Sequence, residues 1–141
     1  MTVDVRRFDD VTEGDTFVLT KEPVTTRQLV MYAGASGDYN RIHYDHAFAC
    51  EAGLGGVIAH GMLTMGFAGQ CLTDWAGEGA FTKDIAGRFL HPVRPGDEVQ
   101  ITLKVIAKEA RGASRCCDVE LSGEVLGRAV FAGSGTVVLT R

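Results

Sequence analysis

The strongest structural signal in the chain lies at residues 60–75, which read HGMLTMGFAGQCLTDW. The segment is long enough for about four helical turns. It is apolar on nearly every side, which is typical of a helix buried on most of its circumference. Its glycines lower the intrinsic helix propensity but allow another element to approach closely. We therefore predict one central helix that is stabilised mainly by packing.

A different pattern follows this helix. Segments rich in Val, Ile, Thr and Leu alternate or run apolar, and turn-forming residues, among them Gly123, separate them. Helices that come first and consecutive long strands that come after favour an α+β fold with an antiparallel sheet. The sequence thus predicts a long antiparallel sheet wrapped around one buried central helix, with strands at 81–92, 97–109, 114–122 and 124–140.

The first half of the chain contains shorter elements. A strand is predicted at 15–20, and an amphipathic helix is predicted from the cap Thr25 to a closing glycine, Gly34. Residues 35–44 are small or polar and show no period, which indicates a loop. A short helix is predicted at 45–52.

Length and composition exclude several classes of protein. The 141 residues are 45% apolar, as expected of a single globular domain over residues 1–141. Fourteen basic residues are scattered among 18 acidic ones, for a net charge of −4, so we expect binding neither to nucleic acid nor to a membrane. The first residues lack a signal-peptide pattern and no stretch is long enough to span a bilayer, so the expected location is cytoplasmic.

The predicted loop carries two residues suited to acid–base chemistry. A carboxylate and an imidazole, from Asp38 and His43, can hold one water molecule between them and exchange protons with it near neutral pH. Their spacing alone leaves two interpretations open: a reactive pair, or a turn aspartate beside a surface histidine. Asn40 is equally compatible with a turn, since Asn tolerates positive φ.

Gly61 stands at the predicted start of the central helix. Amide groups there lack intrahelical partners, and the helix dipole favours negative charge. A glycine leaves its amide open to a carbonyl oxygen that becomes negative during a reaction, although close packing would also explain it. His60 is either a ligand contact or a hydrogen-bonded structural residue.

Other chemistries find no support in the sequence. The four histidines, His43, His46, His60 and His91, have no compact metal-binding spacing, so no metal is expected. Phosphate-loop, dinucleotide and serine-elbow motifs are absent from the sequence, and no cofactor is predicted.

Three segments together resemble the MaoC-like dehydratases. They are ASGDYNRIHYD at 35–45, IAHGML at 58–63 and RFLHPVRPGD at 88–97. That family contains (R)-specific enoyl-CoA hydratases and 3-hydroxyacyl-thioester dehydratases of the hot-dog fold, and the resemblance covers about residues 8–139. It implies reversible hydration of trans-2-enoyl thioesters to (R)-3-hydroxyacyl thioesters without a cofactor.

The resemblance also assigns roles to residues. It implies that Asp38 and His43 bind the catalytic water, that the Gly61 amide binds the thioester carbonyl, and that Asn40 supports the loop. His60 is expected to have a supporting role. Arg41 departs from the family, which usually has proline there, and this change is expected to loosen the turn.

The resemblance implies partners as well. The substrate is expected to be an acyl-CoA or acyl-carrier-protein thioester, and the assembly a homodimer. One alternative is the catalytic subunit of a heterodimeric (3R)-hydroxyacyl-carrier-protein dehydratase. The others are a hot-dog thioesterase, for which residues 60–72 lack the expected carboxylate, and a non-catalytic acyl-binding subunit.

Overall fold

The computed structural model describes residues 5–140, in which three helices and five strands surround one core. The helices are α1 (Thr26–Ser36), α2 (His46–Glu51) and α3 (Gly61–Ala76), and single 3-10 turns lie at Phe8–Asp10 and Arg41–His43. The strands are β1 (Thr16–Thr20), β2 (Phe81–Phe89), β3 (Gln100–Arg111), β4 (Ser114–Val125) and β5 (Arg128–Leu139).

The five strands form one antiparallel sheet in the order β1-β3-β4-β5-β2. Two tight hairpins connect its three longest strands, because Arg111 pairs with Ser114 and Val125 pairs with Arg128. Strands β1 and β2 are the two edges of the sheet. The predicted fold class, α+β with an antiparallel sheet, is confirmed.

The sheet packs against one side of α3. Residues of α3 at helical spacing, among them Phe67, Ala68, Cys71 and Leu72, are at most 5% exposed, and they share one core with the inward side chains of β3, β4 and β5. Complete burial of a side chain such as Leu72 contributes about 2 kcal/mol. The opposite stripe of α3, at residues 62, 66, 70, 73 and 74, is exposed, so the helix is less completely enclosed than its sequence predicts.

Two glycines have roles that differ from those predicted. Helix α1 continues through Gly34 and ends at Gly37, whose φ of 75° is the left-handed conformation that glycine adopts at helix ends. Gly123 lies inside β4, where an added Cβ would be 3.0 Å from Ile101 and 3.1 Å from Phe131. The chain reverses instead at Leu126 and Gly127, both with positive φ.

The segment between β1 and β2 carries the predicted site. Thr25 caps α1 by accepting a hydrogen bond from the Gln28 amide, and Asp45 caps α2 in the same way from the Phe48 amide. Asp45 thus fixes the end of the loop that leads into α2, and Gly37, whose amide donates to the Ala33 carbonyl, closes the end that leaves α1. Within residues 5–140, no helix combines the length and apolar character needed to cross a membrane.

Candidate active site

A series of side-chain turns shapes the loop after α1. The Asp38 carboxylate accepts a hydrogen bond from the Asn40 amide at 3.2 Å, and the Asn40 side chain accepts one from the Ile42 amide, also at 3.2 Å. These local bonds bend the chain so that His43 returns toward Asp38. Arg41, for which the sequence predicts a looser turn, binds Asp45 through its guanidinium at 2.7 Å and lies over the ring of Phe48.

The bent loop brings Asp38 and His43 together. Asp38 Oδ2 lies 3.7 Å from His43 Nε2, which is too long for a direct hydrogen bond but close enough for one water molecule to contact both atoms. The side chain of His43 is 8% exposed and that of Asp38 is 53% exposed. Solvent therefore reaches the pair from the carboxylate side.

A backbone carbonyl determines which nitrogen of His43 carries the proton. His43 Nδ1 lies 2.7 Å from the carbonyl oxygen of Ile58, and a carbonyl only accepts hydrogen bonds. In the neutral ring Nδ1 is therefore the donor, and Nε2 presents its lone pair toward Asp38. The carboxylate and Nε2 are thus two acceptors that suit the two hydrogens of one water molecule.

His60 lies behind this pair. Its ring stacks on that of His43 with the ring centroids 3.8 Å apart, and the centroid of the Tyr32 ring lies 4.8 Å from that of His60. His60 Nε2 donates a hydrogen bond to the backbone carbonyl of Asp38 at 3.2 Å. Burial lowers the pKa of His60, while the bond to Asp38 opposes that shift. His60 is 1% exposed, so it does not contact a ligand in the cavity.

Gly61 faces a cavity of about 290 Å³ that also reaches His43. As the first residue of α3, it has an amide with no partner four residues earlier. An added Cβ would lie 2.6 Å from Cδ2 of Phe89, so only glycine fits beneath that ring. The cavity is mainly apolar, and its walls include Thr64, Phe89, Leu90, Val93 and Val130.

The geometry disfavours a metal ion at this site. Ligand atoms of Asp38, His43 and His60 lie within 4.8 Å of one another. The prediction from sequence spacing that the histidines form no compact group was therefore wrong for His43 and His60. However, a metal ion binds an imidazole in the plane of its ring, and these two rings stack face to face with only 22° between their planes. One ion therefore cannot lie in both planes without a change of rotamer.

Comparison with known proteins identifies the family. A sequence model of the MaoC-like domain matches residues 10–125. The chain belongs to the MaoC-like family. A 3-hydroxybutyryl-CoA dehydratase of Methylorubrum extorquens is 34% identical over 122 residues, which cover 84% of this chain and 77% of that protein. An (R)-specific enoyl-CoA hydratase of Rhodospirillum rubrum is 31% identical over 133 residues, which cover 94% of this chain and 90% of that protein.

A solved structure supports the same assignment. The (R)-hydratase from A. caviae matches this MaoC-like chain with a TM-score of 0.82 and 26% identity, over 93% of this chain and 98% of that one. The predicted hot-dog fold and the predicted hydratase or dehydratase class are thereby confirmed.

Some residues of this MaoC-like site were not predicted from the sequence. The Ile58 carbonyl orients His43, but a backbone group leaves no trace in side-chain patterns. Thr64 lines the cavity from the first turn of α3, and Phe89 covers Gly61. Phe89 belongs to the third resembling segment, which was the one available signal for it.

Proposed function

We propose that this protein catalyses the reversible hydration of trans-2-enoyl thioesters to (R)-3-hydroxyacyl thioesters. The observation that carries the proposal is the pair of acceptors, Asp38 Oδ2 and His43 Nε2, placed 3.7 Å apart. His43 and Gly61, the first residue of α3, line the same cavity. A water-binding pair and an amide donor are the groups that addition of water to a conjugated thioester needs.

The chemistry follows from charge flow in the substrate. Water bound to Asp38 and His43 gives one proton to the pair as its oxygen bonds to C3. The electrons of the C2–C3 double bond shift toward the thioester carbonyl, and the Gly61 amide stabilises the resulting enolate oxygen. The pair then returns a proton to C2, so that one water is added and no group is left over. Dehydration is the reverse of these steps.

The substrate class is argued from the cavity and the relatives. Apolar walls at Phe89, Leu90 and Val130 suit an acyl chain, and His43 and Thr64 are polar groups along the same space. The carrier is coenzyme A or an acyl-carrier protein. The relatives named for 3-hydroxybutyryl-CoA and for (R)-specific hydration support both the thioester and the (R) product.

A homodimer is the assembly that we propose. Edge strand β2 exposes seven of its nine residues, including Phe81 and Phe89 at 58% and 48% exposed. An unpaired edge with exposed aromatic rings is suited to pairing with a second copy of the sheet. In a heterodimer with a related subunit, this chain, which has Asp38 and His43, would be the catalytic member.

The first experiment is an assay with crotonyl-CoA. Hydration is measured as the loss of enoyl-thioester absorbance, and the product is identified by chiral analysis. We expect the (R)-alcohol, and a fall in kcat of about 10²–10⁴-fold in Asp38→Asn and in His43→Gln. Asp74→Asn and His46→Gln are matched controls, since both residues are exposed and lie outside the site. Unchanged turnover in Asp38→Asn and His43→Gln would contradict the assignment of the pair.

The same assay separates the other functions. Release of free coenzyme A thiol instead of hydration would indicate a thioesterase, although the carboxylate of α3, Asp74, lies near the C-terminal end of that helix. If crotonyl-CoA is not turned over, the assay is repeated with longer enoyl-CoA chains, with enoyl-carrier-protein substrates and with a co-expressed partner. No turnover with any of them would favour a non-catalytic acyl-binding subunit.

A further inference from the structure

His60 connects the two members of the proposed water-binding pair without reaching the substrate cavity. Its Nε2 holds the Asp38 backbone at 3.2 Å, and its ring lies 3.8 Å from that of His43. The residue is 99% enclosed, by Tyr32 of α1, by the loop at Asp38 and by the turn that carries His43. These contacts join three separate elements at one imidazole.

The single side-chain hydrogen bond of His60 favours its neutral form. Nε2 must carry a proton, because the Asp38 carbonyl accepts from it. Nδ1 is buried without a hydrogen-bond partner among the described residues, so a proton added there would be a buried donor with no acceptor. The titratable groups that face the ring are Tyr32, Asp38 and His43, and burial lowers the pKa of His60.

We propose that His60 is a positioning residue, whose hydrogen bond to the Asp38 backbone fixes the separation of Asp38 and His43 so that both contact one water molecule. The bond sets where the Asp38 carboxylate stands relative to His43, whose own orientation is set by the Ile58 carbonyl. Two acceptors at a set distance lose much of their effect when one moves, because misplacement by about 1 Å costs about 10²-fold in rate. The inference rests on the proposed hydration.

Two substitutions separate the bond from the stack. His60→Phe keeps a flat ring against His43 but has no donor for the Asp38 carbonyl. His60→Gln carries an amide donor at a similar reach but has no ring. His46→Gln is the control, because His46 is an exposed histidine of α2 outside the site. Each variant is assayed for kcat and KM with crotonyl-CoA.

The expected result is a loss confined to kcat. In His60→Phe, kcat falls about 10²-fold and KM changes by less than about threefold, because His60 lies outside the cavity. His60→Gln retains kcat within about tenfold of the unaltered protein because the bond to Asp38 is kept. A merely structural role would lower the folded fraction instead, and would leave kcat per folded molecule unchanged.

Other outcomes overturn the proposal. Wild-type kcat in His60→Phe would do so, as would a loss in His60→Gln as large as the loss in His60→Phe. If His60→Phe does not fold, His60→Gln decides alone: kcat within about tenfold supports positioning, and a loss of about 10²-fold refutes it.

A measurement without substrate keeps this inference distinct from the proposed function. The amides of Asn40 and Ile42 donate to side chains of the same loop, so their NMR signals report its shape. We expect these signals to shift in His60→Phe and to stay in place in His60→Gln and His46→Gln. If the unaltered protein hydrates no enoyl thioester, the proposed function fails, and the amide signals still decide whether His60 positions the loop.

Discussion

Asp38 and His43 differ in exposure although they act on one water molecule in the proposed mechanism. The carboxylate is half exposed, and its position depends on the local bond from Asn40. The imidazole is almost fully buried and is oriented by Ile58. In that mechanism water enters over the carboxylate, and the histidine supplies a nitrogen that solvent does not hydrate freely.

The contact between Gly61 and Phe89 gives a prediction at the residue scale. In Gly61→Ala the new Cβ would lie 2.6 Å from the ring, so Phe89 must leave its place in the cavity wall. We expect kcat to fall about tenfold or more as the substrate loses its alignment. Phe89→Ala makes room for the methyl group, so the double variant is expected to recover part of this loss in a double-mutant cycle.

The double variant tests how Gly61 acts. If position 61 requires glycine only because a Cβ would clash with Phe89, removing the Phe89 ring restores part of the activity. Alanine keeps the backbone amide that faces the substrate carbonyl in the proposed mechanism. A double variant no better than Gly61→Ala alone would contradict this steric account of the glycine.

At this scale the sequence predicted the site residues through motifs more than through spacing. Asp38 and His43 lie in one loop, where separation along the chain sets no distance, and the resemblance supplied the pairing. The contact of His60 with Asp38 joins residues 22 positions apart and depends on the start of α3, so no local pattern contains it. The contact of His43 with the Ile58 carbonyl could not be predicted, because every residue has a backbone carbonyl and the sequence does not mark this one.

At the scale of elements, the ends of α1 and β4 depend on which residue takes a positive φ. Gly34 is helical, whereas Gly37 is left-handed, and apart from the adjoining backbone no heavy atom of residues 5–140 lies within 4 Å of a Cβ added to either. The two glycines therefore differ in backbone conformation and not in packing space. Sequence alone favoured Gly34 because it is the first glycine after an apolar helical pattern.

These two glycines provide a matched test. Gly34→Ala is expected to stabilise the protein by about 0.5–1 kcal/mol, because alanine loses less backbone entropy on entering a helix. Gly37→Ala is expected to destabilise it by about 1–2 kcal/mol, because a Cβ is disfavoured in the left-handed region. Urea unfolding of both variants measures the free energies. Equal effects of the two substitutions would show that helix α1 ends elsewhere.

The turn between β4 and β5 was also predicted at the wrong glycine. Gly123 was predicted as the divider, yet it pairs within the sheet and leaves room for Phe131. The turn uses Leu126 at a φ of 48°, which leucine seldom adopts, so propensity pointed away from the true position. Ile101 and Phe131 both lie close to Gly123, and contacts of this kind are not visible in a local sequence pattern.

For the whole molecule, the two edges of the sheet differ in length and exposure. Strand β1 has five residues and alternates between exposed and half-buried positions. Strand β2 has nine residues and is mostly exposed on both faces. The order of helix and strands predicted this sheet well, because hydrophobic periodicity persists over long segments, whereas the partner of an edge is not encoded in periodicity.

The proposed homodimer can be tested at these edges. We expect the purified protein to have about twice the chain mass of 15.1 kDa by light scattering. Phe81→Lys places a charge on the β2 edge and is expected to lower the mass to that of one chain. Val18→Lys, at a similarly exposed position of β1, is the matched control and is expected to remain dimeric. The reverse pattern would assign the interface to β1.

The two imidazoles of the site are both oriented by main-chain carbonyls, those of Ile58 and Asp38. Any residue at position 58 keeps a main-chain carbonyl, and Ile58 also lines the cavity. Mutations at position 58 can therefore reshape the cavity while the proton on His43 keeps its place. Over evolutionary time, descendants of this chain can diverge in the acyl groups they accept without first giving up their reaction.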